Sequence, residues 1–101
     1  MRIPELYTRG RPVFSFEFFP PKTDAGYRSL FRTIAELNPL EPGFVSVTCG
    51  AAGSTRRKTA DLVNRIQQET GITAMAHVTC TGHSAEELAV SLEEMERAGI
   101  E

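Results

Sequence analysis

The chain has 101 residues, with 41% hydrophobic and 24% charged residues, the size and balance of one ordinary globular domain. A formal net charge of −2 gives no reason to expect nucleic acid or an anionic membrane as partner, and the densest basic cluster is the short run Arg56-Arg57-Lys58. No segment nears the ~20 apolar residues of a membrane span, the start lacks a signal peptide's apolar stretch, and two cysteines are too few for a disulfide scaffold, so a reducing cytoplasm is the expectation.

Residues 1–12 are a polar lead-in with room for a short helical turn. Val13–Phe18 reads as an aromatic-rich strand, stopped by Pro20-Pro21. From about Asp24 to Leu37, Tyr27, Leu30, Phe31, Ile34 and Leu37 recur at helical spacing, and "NPLEPG" ends the helix. Phe44–Thr48 is a second, β-branched strand. The loop "CGAAGST" follows, with Ser54 or Thr55 as N-cap of a helix from about Thr55 to Glu69. Thr59, Leu62, Val63 and Ile66 share one face of it, and Gly71 stops it.

Ile72–Cys80 reads as the third strand. Ser84 and Glu87 form a capping box for a third helix, whose stripe is Ala85, Leu88, Ala89, Leu92 and Met95. Gly99 reads as its C-cap and Ile100 as the first residue of a following strand, the pattern of a chain that continues into a larger domain. Strands alternating with helices imply parallel pairing through right-handed crossovers.

Side chains two apart on a strand share a face. Phe14, Phe16 and Phe18 therefore point one way, and Val13, Ser15 and Glu17 the other. Ser46 with Thr48, and His77 with Thr79, likewise stand opposite Val45 and Val47, and Ala76 and Val78. These polar positions recur at one constant interval: Ser15, Ser46 and His77 form one series, and Glu17, Thr48 and Thr79 the other. One face is thus polar towards the strand C-termini and the other apolar. A doubly wound sheet needs both faces apolar, whereas a (β/α)₈ barrel has helices outside only and its active site at the strand C-termini. The expectation is a TIM barrel of which about the first three βα units are present.

Glu17 carries the strongest chemical signal. A carboxyl among aromatics is costly to desolvate, and on an inner barrel face it can serve as a general acid of raised pKa. The alternative is a structural carboxylate paired with a buried Arg or Lys. "TCGAAGSTRR" reads either as an anion-tolerant small-residue loop or as a plain turn with a solvated basic helix start. His77 reads as a ligand contact or as a hydrogen-bonded interior histidine, and His83 as a loop residue beside a cap. Cys49 and Cys80 are separated by the same interval as the polar series. They follow no zinc spacing and lie off the polar face, so buried or loop thiols are expected and no metal.

"FSFEFFPPKT", "FVSVTCGAAGSTR" and "AHVTC", in this order and spacing, resemble methylenetetrahydrofolate reductase, a flavin-dependent (β/α)₈ barrel family, over nearly the whole chain from Val13 to Glu101. The resemblance implies that residues 1–101 are the N-terminal portion of one barrel domain. It implies reduction of 5,10-methylenetetrahydrofolate to 5-methyltetrahydrofolate with FAD and NAD(P)H, in one-carbon and methionine metabolism. Glu17 matches the family's essential glutamate, which helps open the folate ring to its iminium form. Thr48 matches a residue at the flavin and nicotinamide site, and Cys49, Ala51 and His77 fall at FAD-contacting positions. The family usually has Tyr at position 49, and its "LRGD" segment would begin just past Glu101. Two other readings stay open: a flavin-free or partner-dependent reductase of the family, and a truncated non-catalytic binding or assembly domain. The expected partner is the folate substrate, and outer barrel helices leave room for a homo-oligomer.

Overall fold

The computed structural model describes residues 2–50 and 56–101. A short helix α1 (Ile3–Leu6) opens the chain and passes into a 3₁₀ turn at Tyr7–Arg9. Strand β1 (Ser15–Phe18), helix α2 (Asp24–Leu37), a second 3₁₀ turn at Asn38–Leu40, strand β2 (Phe44–Val47), helix α3 (Arg56–Thr70), strand β3 (Ala74–Ala76) and helix α4 (Ala85–Arg97) follow. The strands form one parallel sheet in the order β1-β2-β3, as the alternation of elements predicts.

Local chemistry fixes the helix ends. The Thr23 side chain accepts a hydrogen bond from the Gly26 amide at 3.0 Å and caps α2. Ser84 accepts from the Glu87 amide at 3.1 Å while the Glu87 carboxylate accepts from the Ser84 amide at 3.4 Å, the reciprocal box expected at the start of α4. At the other end, Gly99 takes a left-handed φ of 78°. Its amide donates to Glu96 and that of Ile100 to Met95, at 3.0 Å each, a Schellman termination with the apolar residue after the glycine packed on the core. The expected start of α3 at Thr55, with its cap, lies outside the described residues.

Gly43, just before β2, is required by close packing. A Cβ there would come within 2.6 Å of Val13 Cγ1, and its amide donates to the Phe14 carbonyl at 2.8 Å.

One hydrophobic core holds the fold together. Ile34 of α2, Val45 and Val47 of β2, Leu62, Val63 and Ile66 of α3, and Ile72 and Ala74 around β3 form a single buried cluster. Phe16, Phe18, Tyr27, Leu30, Phe31, Ala76 and Ile100 pack against it. Each Val, Leu or Ile buried there contributes about 1.5–3 kcal/mol of transfer free energy. Both α2 and α3 therefore lie on the sheet face that carries Phe16, Phe18, Val45, Val47, Ala74 and Ala76, as strand parity predicts.

Three expectations are corrected. Phe14 precedes the β1 ladder and is 72% exposed rather than packed with Phe16 and Phe18. The third strand is Ala74–Ala76 instead of Ile72–Cys80: β2 ends at Val47, so beyond the bond from the His77 amide to the Val47 carbonyl at 3.0 Å the chain has no ladder to extend. Of the α4 stripe, Met95 is buried and Leu88 half-buried, whereas Ala85, Ala89 and Leu92 are exposed. β3 is the edge of the sheet, and no strand among the described residues lies beyond it for that stripe to cover. Ile100 packs on the core.

Candidate active site

The sheet face opposite α2 and α3 is centred on β2, whose four residues are all buried. Register pairs Glu17 with Ser46 and Ser46 with Met75, so these three share a face, with Ser15 and Phe44 one layer below. The interval of the polar series is thus not the register. Glu17 lies beside Ser46, whereas Ser15 and Ser46 are staggered by one two-residue step, as are Ser46 and His77. His77, two residues beyond Met75, falls on the same face.

This stagger brings three candidates together. Ser46 Oγ donates to Glu17 Oε2 at 3.3 Å, and His77 Nε2 lies 3.5 Å from the same oxygen. Ser46 is 5% exposed. The Glu17 and His77 side chains are 54% and 39% exposed. The apolar setting expected for Glu17 is therefore not what surrounds it in this chain. Phe16 and Phe18 point to the helices, and the carboxylate stands in an open, polar position. Its partners are a serine and a histidine rather than the Arg or Lys of the structural alternative.

Thr48 extends the β1–β2 pairing, its amide donating to the Phe18 carbonyl at 3.0 Å. Its own carbonyl accepts from Thr59 Oγ1 at 2.8 Å. Thr59 is fully buried in the first turns of α3, so the hydroxyl ties the end of β2 to the helix that follows the loop. Cys49 is half-buried and Cys80 exposed, both as free thiols. Ala51 and most of the small-residue loop lie outside the described residues. His83 sits beside the α4 cap, with Nδ1 3.4 Å from Glu87 Oε2, apart from the Glu17 group. Two surface clefts lie elsewhere: one between α3 and the end of α4 around Asn64 and Met95, one around Leu6, Val13 and Gly43.

Sequence reasoning places Ser46 on the polar face without its link to Glu17, and Thr59 on the buried helix stripe without its bond to Thr48. The signal for Thr59 is a hydroxyl within an otherwise apolar stripe. For Ser46 it is parity alone, because helix and loop lengths do not fix the stagger between strands.

An α/β chain with parallel strands in sequential order, α2 and α3 packed on one sheet face, and an acid, a serine and a histidine converging on the other has the anatomy of an enzyme domain built from βα units. The chain belongs to the methylenetetrahydrofolate reductase family, whose sequence model matches residues 2–101. It is 38% identical over 100 residues to methylenetetrahydrofolate reductase (NADH) 1 of Zea mays, covering 99% of this chain and 17% of that protein. It is 40% identical over 80 residues to 5,10-methylenetetrahydrofolate reductase of Escherichia coli K12, covering 79% of this chain and 27% of that protein. With the enzyme of that name from Buchnera aphidicola of Schizaphis graminum it shares 46% identity over 74 residues, 73% of this chain and 25% of that protein. The chain thus spans less than a third of the length of these curated relatives. Among the described residues no helix is long and apolar enough to cross a membrane.

Proposed function

We propose that residues 1–101 are the N-terminal portion of a (β/α)₈ barrel that reduces 5,10-methylenetetrahydrofolate to 5-methyltetrahydrofolate with FAD and NAD(P)H. The observation that carries this is the meeting of Glu17, Ser46 and His77 on the sheet face opposite α2 and α3, at the strand C-termini where barrel enzymes build their sites. Helices α2 and α3 feeding one core on the other face support a barrel over a doubly wound sheet. Membership of the family supports the substrate class.

The chemistry follows from the carboxyl. Glu17 in its acid form donates a proton to the folate, and the five-membered ring opens to the iminium form. The iminium carbon accepts a hydride and becomes the 5-methyl group. FAD, when bound, supplies the relay of that hydride from NAD(P)H. The residues present fit such a group in kind: half-buried Thr48 and His77 offer hydrogen-bonding groups at the ends of β2 and β3. Thr48, Cys49, Ala51 and His77 are the positions that would hold it. Cys49 lacks the ring that the family usually places there, and its backbone remains available for contact. The same reading puts the enzyme in the cytoplasm, in one-carbon metabolism, with a homo-oligomeric contact left to the outer helices.

The test is to express the full-length gene product and follow NAD(P)H–menadione turnover and folate reduction separately. Glu17→Gln is expected to slow folate reduction by about 10²–10⁴ while menadione turnover persists. A Glu17→Gln protein that reduces folate at the normal rate removes Glu17 as the acid. Cys49 favours a second reading, a flavin-free or partner-dependent reductase. Absence of the 450 nm flavin band from purified, folded protein selects it.

A further inference from the structure

We infer that Ser46 is a positioning residue for Glu17, a role that rests on the reading of Glu17 as the acid. Ser46 occupies the middle strand, where its backbone is paired on both sides and its neighbours Val45 and Val47 are 1% and 0% exposed. Its Cα is therefore among the best fixed in the sheet. Glu17 is the opposite case: its long side chain is more than half exposed, free to sample several rotamers. A hydroxyl buried in a strand of valines is costly unless it is hydrogen-bonded, and the hydrogen bond that the Ser46 side chain makes is the one to Glu17.

Both neighbours address the same carboxylate oxygen. Ser46 Oγ lies 3.3 Å and His77 Nε2 3.5 Å from Oε2, which leaves Oε1 as the oxygen to hold or release a proton. Ser46 thereby selects which oxygen faces the substrate and in which rotamer. Its bond is long for a hydroxyl to a carboxylate. Hydrogen bonds of this kind tighten when a bound substrate excludes water.

The experiment compares Ser46→Ala, Ser46→Thr, Glu17→Gln and the double variant Ser46→Ala/Glu17→Gln in the full-length gene product, with thermal melts to confirm folding. Ser46→Ala is expected to lower kcat for folate reduction about tenfold, part of the 10²–10⁴ that a positioned acid supplies, with KM and NAD(P)H–menadione turnover unchanged. Ser46→Thr keeps the hydroxyl and is expected to recover most of the loss. The double variant should be no slower than Glu17→Gln alone, because the serine acts through the carboxyl. A normal folate kcat in Ser46→Ala beside a crippled Glu17→Gln overturns the role of Ser46 and leaves the acid standing. A further tenfold loss in the double variant, or an equal loss in the menadione assay, also overturns it. Full folate reduction by Glu17→Gln removes the acid and the positioning role together.

Discussion

His77 Nε2 and Glu17 Oε2 stand 3.5 Å apart although the whole of β2 runs between their strands. They meet because the parallel register steps Glu17 onto Ser46 and Ser46 onto Met75, leaving His77 one layer higher and leaning across. Both side chains are well exposed, so the contact contributes less than about 1 kcal/mol to stability. Replacing His77 with Ala should therefore shift the unfolding free energy by under about 1 kcal/mol in urea titrations. In the full-length gene product the same change should lower both flavin content and folate turnover. Strong destabilisation with full activity would mean that the histidine belongs to the fold and not to the site.

Thr59 offers the reverse case, a buried polar group whose value is structural first. Its hydroxyl donates to the Thr48 carbonyl at 2.8 Å from a fully buried position. Thr59→Val keeps the shape and removes the donor, which should cost about 1–2 kcal/mol. Thr59→Ser keeps the donor and loses one buried methyl group, a smaller loss of about 1 kcal/mol. Chemical denaturation of the three proteins measures the order directly. If valine proves as stable as threonine, the bond does not anchor the end of β2.

Much of this arrangement was legible in the sequence. The existence and order of the three strands, the α2 limits, the α4 capping box and the split between a Phe16–Phe18 face and a Ser15–Glu17 face all follow from periodicity and turn chemistry, which are local, whereas the length of the third strand does not. What sequence could not supply was non-local. The interval from Ser15 to Ser46 to His77 counts strand, loop and helix together. Register depends instead on how the strands slide to match their hydrogen bonds, and that set Glu17, not Ser15, beside Ser46. Periodicity likewise identifies an apolar stripe on α4 but not what it covers, so Leu92 reads as core and is 53% exposed. Glu17 stands out within an aromatic run on sequence alone. That its companions would be Ser46 and His77 depended on the stagger.

Gln67 joins three elements through one amide. Its Oε1 accepts from the Ala74 amide at 3.1 Å, and its Nε2 donates to the Gly99 carbonyl at 3.2 Å. Ala74 opens β3, and Gly99 follows α4, so the side chain sets where the chain after α4 lies relative to the edge of the sheet. Gln67→Ala removes both bonds and should destabilise the chain by about 1–2 kcal/mol. Gln67→Glu retains the acceptor and sets a carboxylate against the Gly99 carbonyl, and should recover only part of that loss. Hydrogen exchange at Ala74 is the specific readout: its amide should exchange faster in Gln67→Ala and stay protected in Gln67→Glu. Unchanged protection in Gln67→Ala would show that the amide finds another acceptor.

Ile66 and Leu92 test the core against the stripe. Both are large aliphatic residues at helical spacing, and a sequence pattern treats them alike. Ile66 is fully buried on α3 against the β2 valines, while Leu92 is more than half exposed on α4. Truncating Ile66 to Ala leaves a cavity that neighbours on three elements cannot easily fill, and should cost about 2–5 kcal/mol. Truncating Leu92 to Ala exchanges little buried surface for alanine's better helix propensity, and should change stability by less than about 0.5 kcal/mol. Urea unfolding of the chain reads both values. Comparable losses at the two sites would place Leu92 in a packed interface and refute the exposed position found for it. A large loss at Ile66 alone places that side chain, and not Leu92, in the core behind the strand that carries Ser46.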